Sequence, residues 1–90
     1  MYDIFFHTAV KKDIKKIPKD ELEKIKRVID VKLKYKPLLY SYPLRATLKK
    51  YFKLRVGNYR VVFEFKSKQV FILAIIHRKD VYKISNKRIK

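Results

Sequence analysis

The sequence predicts an α+β fold: two helices packed on one face of a largely antiparallel four-stranded sheet, in the order β-α-α-β-β-β. Three observations carry that prediction. From Val10 to Leu33 apolar residues recur at three- and four-residue spacing, the helical period. From Lys50 to Phe65 they alternate, the strand period, and Gly57-Asn58 divides that stretch where a tight hairpin turn is needed. Val70 to Ile76 is then apolar without interruption, the pattern of a strand covered on both faces.

Each element has its own signal. Tyr2, Ile4 and Phe6 alternate with Asp3, Phe5 and His7, which suits an opening strand. Thr8 stands where an N-cap belongs, ahead of Val10, Ile14 and Ile17, and Pro18 stops that short helix. Asp20 followed by Glu23 has the spacing of a capping box for a second helix, with Leu22, Ile25, Ile29 and Leu33 on one stripe. Lys24, Lys26, Arg27, Lys32 and Lys34 occupy its solvent side, and Pro37 ends it. A loop through Tyr40, Tyr42 and Pro43 follows. In the hairpin, Phe52, Leu54 and Val56 share a face, as do Tyr59, Val61, Phe63 and Phe65 on the second strand. Lys66-Ser67-Lys68-Gln69 turns the chain into the last strand, Val70 to Arg78. From Lys79 a short basic tail offers only Val81, Tyr82 and Ile84 for docking.

Composition narrows the function. Ninety residues make a single domain, 1–90, with a thin core. Lys and Arg number 25 against 8 Asp and Glu, a formal charge of +17, which calls for a polyanion or an acidic partner. With 48% hydrophobic residues the chain is nonetheless a folded basic domain and not a disordered tail. The absence of cysteine excludes disulfides, thiolate metal sites and a cysteine nucleophile. Two histidines and scattered carboxylates give no metal-ligand pattern, and one glycine leaves no Gly-rich phosphate loop. No metal or cofactor is therefore expected. The longest apolar run is too short for a membrane span, and the first residues lack a signal-peptide layout, so a cytoplasmic location is expected.

The informative stretch is Lys53-Leu54-Arg55-Val56-Gly57-Asn58-Tyr59-Arg60. Side chains two apart on a strand share a face, so Lys53 and Arg55 project together, and Arg60 joins them if the turn is the short one. Cations fixed on paired strands make a rigid phosphate site, and arginine brings a bidentate fork to it. Spacing alone does not exclude the plainer explanation, since solvent faces and edges of strands in a Lys-rich chain carry charge anyway. His77 and Arg78 end the apolar strand, where a chain reaching water gives the same pattern, although His77 is the right residue type for proton transfer near neutrality. Tyr82 suits stacking on a base, or simply packing of the tail. His7 reads as structural or neutral to function.

These residues resemble the RelE/ParE superfamily of toxins, the small basic partners of toxin–antitoxin pairs. Lys53 to Phe63 reads KLRVGNYRVVF and His77 to Tyr82 reads HRKDVY, both close to the family's hairpin and terminal motifs, and Ile17-Pro18 matches its helix break. The resemblance covers nearly the whole chain. It departs at Tyr51, where the family places a second lysine with Lys49 and Lys50 close by here, and at Ala46, where it places a glycine. In the RelE branch the resemblance implies ribosome-dependent cleavage of A-site messenger RNA. The RNA's 2′-hydroxyl attacks the adjacent phosphate, leaving a 2′,3′-cyclic phosphate and a 5′-hydroxyl, without a metal. It assigns Lys53, Arg60, Arg78 and Tyr82 as the catalytic set. Arg55, Lys49, Lys50 and His77 are expected as accompanying RNA contacts.

Two other readings stand beside the nuclease: a ParE-like inhibitor of DNA gyrase, and a non-catalytic RNA- or ribosome-binding module. The expected partners are the ribosome, its messenger and a cognate acidic antitoxin of RelB type, joined with the toxin in a hetero-oligomer. An amphipathic antitoxin helix would offset part of the +17 charge and cover an apolar groove.

Overall fold

The structure, a computed structural model, describes residues 1–43 and 51–89. Its elements are β1 (Asp3–Phe6), α1 (Val10–Lys15), α2 (Lys19–Val28), β2 (Ser41–Pro43), β3 (Tyr51–Val56), β4 (Tyr59–Lys66), β5 (Gln69–His77) and α3 (Val81–Ile89). A π-helical turn, Ile29–Leu33, extends α2, and a 3₁₀ turn, Arg78–Asp80, leads into α3. The sheet has five strands among the described residues, ordered β1-β5-β4-β3-β2. Only β1 runs parallel to its neighbour; the other pairings are antiparallel, so the predicted α+β class and largely antiparallel sheet are found.

Two elements differ from the sequence-based expectation. The segment read as a loop through Tyr42 contains β2, which pairs Ser41 with Leu54 and Tyr42 with Lys53. Three residues ending in proline are too short to show a period, and proline is tolerated there because β2 lies at the sheet edge. The tail read as loosely docked is the helix α3. Its Val81 and Ser85, four apart, are both buried, the spacing of one helical face.

That helix explains the two apolar faces of β5. Val70, Ile72 and Ile75 join Val10, Ile17, Ile25, Ile29 and Leu33 beneath α1 and α2. Leu73, Ala74 and Ile76 join Val62, Val81 and the half-buried Tyr82 and Ile84 on the other side. The sheet is thus sandwiched, with helices on both faces. Register changes once: Val62 faces Ala74 but Phe63 faces Ile72, leaving Leu73 as the extra residue of a β-bulge.

Helix starts also differ in detail. The side chain of Thr8 does not cap α1; Ala9 is its N-cap, and the Nδ1 of His7 accepts the Ala9 N–H at 3.0 Å. His7 thus holds the backbone at the start of α1. The predicted capping box at Asp20 is not formed, because α2 begins earlier, behind an extended Pro18. Asp20 and Glu21 then lie in the first turn, where negative charge suits the helix dipole. At the β3–β4 turn Gly57 has φ +59°, whereas Asn58 is not left-handed. Only the first turn residue needs the freedom that glycine supplies.

Candidate functional site: a cationic sheet face closed by a helix

The two-residue turn sets the register that the cluster requires. Arg55 stands directly opposite Arg60, and Lys53 opposite Val62. All four side chains therefore share the sheet face that α3 covers, with Val62 buried beneath the helix. The opposite-facing Leu54 and Val61 lie in the core under α1 and α2, which anchors the hairpin from behind. Rigid strands thus hold the cations in place.

Contacts fix each side chain. Lys53 Nζ donates to the Tyr82 hydroxyl at 3.3 Å and lies 5.4 Å from the centroid of its ring. Arg55 lies over the ring of Tyr42 at 4.8 Å, a cation–π contact contributed by the unforeseen β2. Arg60 Nη1 donates back to the carbonyls of Gly57 at 3.0 Å and Tyr59 at 2.8 Å. That tether orients the guanidinium while leaving most of its five N–H donors for a ligand. The backbone N–H of Arg78 donates to the Asn58 carbonyl at 2.8 Å, pinning the 3₁₀ turn to the hairpin.

The electrostatics are uncompensated. Burial, then the charges of Arg55 and Arg78, hold the Arg60 pKa below the ordinary arginine value. Arg60 stays a cation even so, and the shift records cations gathered closely enough to disfavour one another. Among the described residues, no carboxylate pairs with Lys53, Arg55, Arg60 or Arg78. Like charges held together without counterions form an anion site, and two aromatic rings at its borders offer stacking surfaces.

The structure brings Lys53, Arg55, Arg60, Arg78 and Tyr82 together. It does not bring His77 to them. Paired with Tyr59, His77 projects to the α1–α2 side, where the two rings meet edge to face at 5.6 Å. Its Nδ1 accepts the Lys79 N–H at 3.3 Å, so the imidazole caps the 3₁₀ turn. Lys49 and Lys50 lie outside the described residues.

Tyr42 was missed by sequence reasoning. Its one signal, the alternation of Tyr40 and Tyr42 around Ser41, is too short to assign a strand. Also missed was an ion pair between Asp13 of α1 and Arg88 of α3, with Nη1–Oδ2 at 2.7 Å. The hydrogen bond to Asp13 raises the Arg88 pKa above the ordinary arginine value. Among the described residues no three His, Asp or Glu side chains converge as a metal-binding group. No helix among them is long and apolar enough to cross a membrane.

Comparison with known proteins agrees with this fold. The family model described as ParE toxin of type II toxin–antitoxin systems, parDE, matches residues 4–82. Toxin RelG of Mycobacterium tuberculosis is 31% identical over 84 residues, covering 91% of this chain and 97% of that protein. Toxin RelE3 of Methanocaldococcus jannaschii is 28% identical, covering 88% of this chain and 93% of that protein. Among solved structures, the toxin–antitoxin complex RelBE2 from Mycobacterium tuberculosis has a chain that superposes with a TM-score of 0.79 at 30% identity. That match covers 86% of this chain and 98% of its counterpart. With a matching family model over nearly its whole length, RelE-named relatives at similar coverage, and the family's hairpin and terminal motifs brought together on one sheet face, this chain belongs to the RelE/ParE superfamily as a type II toxin of the RelE branch.

Proposed function

We propose that the protein is a ribosome-dependent endoribonuclease, cutting messenger RNA in the ribosomal A site by attack of the RNA's own 2′-hydroxyl. The observation that carries this reading is the meeting of Lys53 with Tyr82 beside Arg60 and Arg78, four residues from four separate elements. Such chemistry needs in-line placement, charge stabilisation at phosphorus and proton movement at two oxygens. Tyr82 and Tyr42 hold bases by stacking. Arg60, with Arg55, takes the non-bridging phosphate oxygens through its remaining donors. Lys53 stabilises the 2′-oxygen as its proton passes to solvent water and the oxygen bonds to phosphorus. The bond from phosphorus to the 5′-oxygen breaks as Arg78 stabilises that oxygen, which takes a proton back from solvent and leaves as a 5′-hydroxyl. A 2′,3′-cyclic phosphate remains upstream. The charge-stabilising roles fall to side chains of the protein, so no step calls for a metal, and the site of action is the cytoplasm.

A cognate antitoxin is the second partner proposed. Relatives were solved as complexes of this kind, RelB with RelE from Methanococcus jannaschii and from Pyrococcus horikoshii among them. In this chain α1 and α2 part over a cleft of about 530 Å³, with Val10, Ile14, Leu22 and Ile25 inside and Lys11 and Lys26 at its rim. An acidic amphipathic segment satisfies both the apolar floor and the basic rim. A complex isolated from the source cell that lacks a small acidic protein would refute that partner.

Purified protein added to translating ribosomes tests the activity. Cuts spaced by codons, insensitive to EDTA once ribosome integrity is protected, are expected. The family model's name keeps one alternative in view, a gyrase inhibitor. DNA breaks that depend on gyrase would establish it in place of the nuclease. RNA or ribosome binding with neither kind of break would leave a binding module.

A further inference from the structure

Asp13 is a buried acid that the proposed chemistry does not use. Its residue is 7% exposed, yet its carboxylate is fully engaged. Oδ2 accepts the Ile75 N–H at 3.0 Å and Arg88 Nη1 at 2.7 Å, and Oδ1 accepts Arg88 Nη2 at 2.7 Å. Arg88 Nη1 also donates to the Leu73 carbonyl at 3.1 Å. The meeting place follows from the topology. β1 pairs with β5 only as far as Phe6 and Ile72, so the bulged edge of β5 beyond it has polar groups to satisfy. Asp13 from one face of the sheet and Arg88 from the other close around that edge.

The helix that carries Arg88 also carries Tyr82, which meets Lys53. Among the described residues a small apolar cluster also seats that helix on the sheet. Val81 is its buried apolar anchor and Ile84 is half-buried, while Ser85 at its buried face has a hydroxyl without a partner. A two-pronged guanidinium–carboxylate pair fixes orientation as well as distance. We propose that the Asp13–Arg88 pair is a latch that seats α3 on the sheet and thereby sets Tyr82 against Lys53, making both residues positioning residues for RNA cleavage. The inference rests on the nuclease reading, and it concerns a pair that touches neither the phosphate nor the base.

The test compares Arg88→Ala, Tyr82→Ala and the double variant in A-site cleavage at saturating ribosomes. A displacement of about 1 Å costs roughly 100-fold in rate, so Arg88→Ala should lower the cleavage rate about 10- to 100-fold. Little further loss should follow in the Tyr82→Ala background. Arg88→Lys, which retains the charge and one hydrogen bond, guards against misfolding and should recover part of the rate. The exposed neighbour Lys87→Ala removes the same charge without the latch and should stay within about twofold of wild type. NMR cross-relaxation between the Lys53 side chain and the Tyr82 ring, present in wild type, should weaken in Arg88→Lys and vanish in Arg88→Ala. Losses that multiply in the double variant, or cross-relaxation that persists without Arg88, would overturn the latch. If wild type cuts no RNA, the nuclease reading falls, and the NMR contact still decides whether Arg88 positions Tyr82.

Discussion

Arg60 is held in a position that costs the fold something and suits a ligand. Burial and its two arginine neighbours push its pKa down, so the charged form is disfavoured in the folded state and the shift does not add to stability at neutral pH. Arg60→Gln should therefore keep a thermal midpoint at or above wild type, within about 0.5 kcal/mol, while losing cleavage. Its loss of one preorganised donor at the phosphate should cost roughly 100- to 1,000-fold in cleavage rate, and Lys53→Ala should cost a similar factor. Single-turnover cleavage on programmed ribosomes beside thermal unfolding reads both quantities. A variant that cuts as fast as wild type would remove that residue from the catalytic set. Tyr82 shows how a residue gains a neighbour through the fold: the HRKDVY resemblance names it, and the 3.3 Å contact sets it against Lys53.

At the level of elements, the β3–β4 hairpin supports the site from behind. Leu54 is 2% exposed and directly precedes Arg55, so Leu54→Ala should destabilise the protein by about 2–5 kcal/mol in chemical denaturation, a core truncation. The two-residue turn between β4 and β5 shows the opposite case. Ser67 has φ +54°, a left-handed conformation that disfavours any side chain, and Ser67→Gly should gain about 1 kcal/mol. On α3, Ser85→Ala should also stabilise, by up to about 1 kcal/mol, because a buried hydroxyl without a partner is desolvated for no return. Asp13→Ala should cost about 3 kcal/mol, since Arg88 loses its carboxylate partner and the Ile75 N–H loses its acceptor. Unfolding curves of the four variants rank these effects directly.

For the whole molecule, charge governs association. A chain of 90 residues with a net charge of +17 repels itself, and an RNA or an acidic protein relieves that repulsion. Binding of purified protein to RNA should weaken steeply as salt rises, with a linear fall of log affinity against log salt set by the number of phosphates neutralised. Replacing the helix-face residues Lys24 and Lys26 with alanine should lower that slope by about one each if they touch phosphate. An affinity unchanged between low and physiological salt would argue against a polyanion target. The opposite faces of the sheet divide the work: α1 and α2 bury most of the core and frame an apolar cleft, while α3 closes over the cationic face.

Sequence by itself determined the fold class, the hairpin and the shared face of Lys53, Arg55 and Arg60, because these depend on local period and turn chemistry, whereas Arg78 and Tyr82 came from the family resemblance. Once Gly57 sets a two-residue turn, the pairing of Arg55 with Arg60 follows from the strand period. Four things needed the tertiary structure. β2 is three residues long and gains its identity only by pairing with β3. α3 shows two buried positions four apart, yet nothing local says that a second apolar face of β5 awaits it. His77 follows Ile76 in the chain, and its pairing with Tyr59 turns it to the opposite side from Arg60. Asp13 and Arg88 are separated by most of the chain and meet only because β1 ends early and leaves the edge of β5 open. Local patterns fix what a segment is, whereas long-range pairing decides which segments share a face, and the candidate site depends on both.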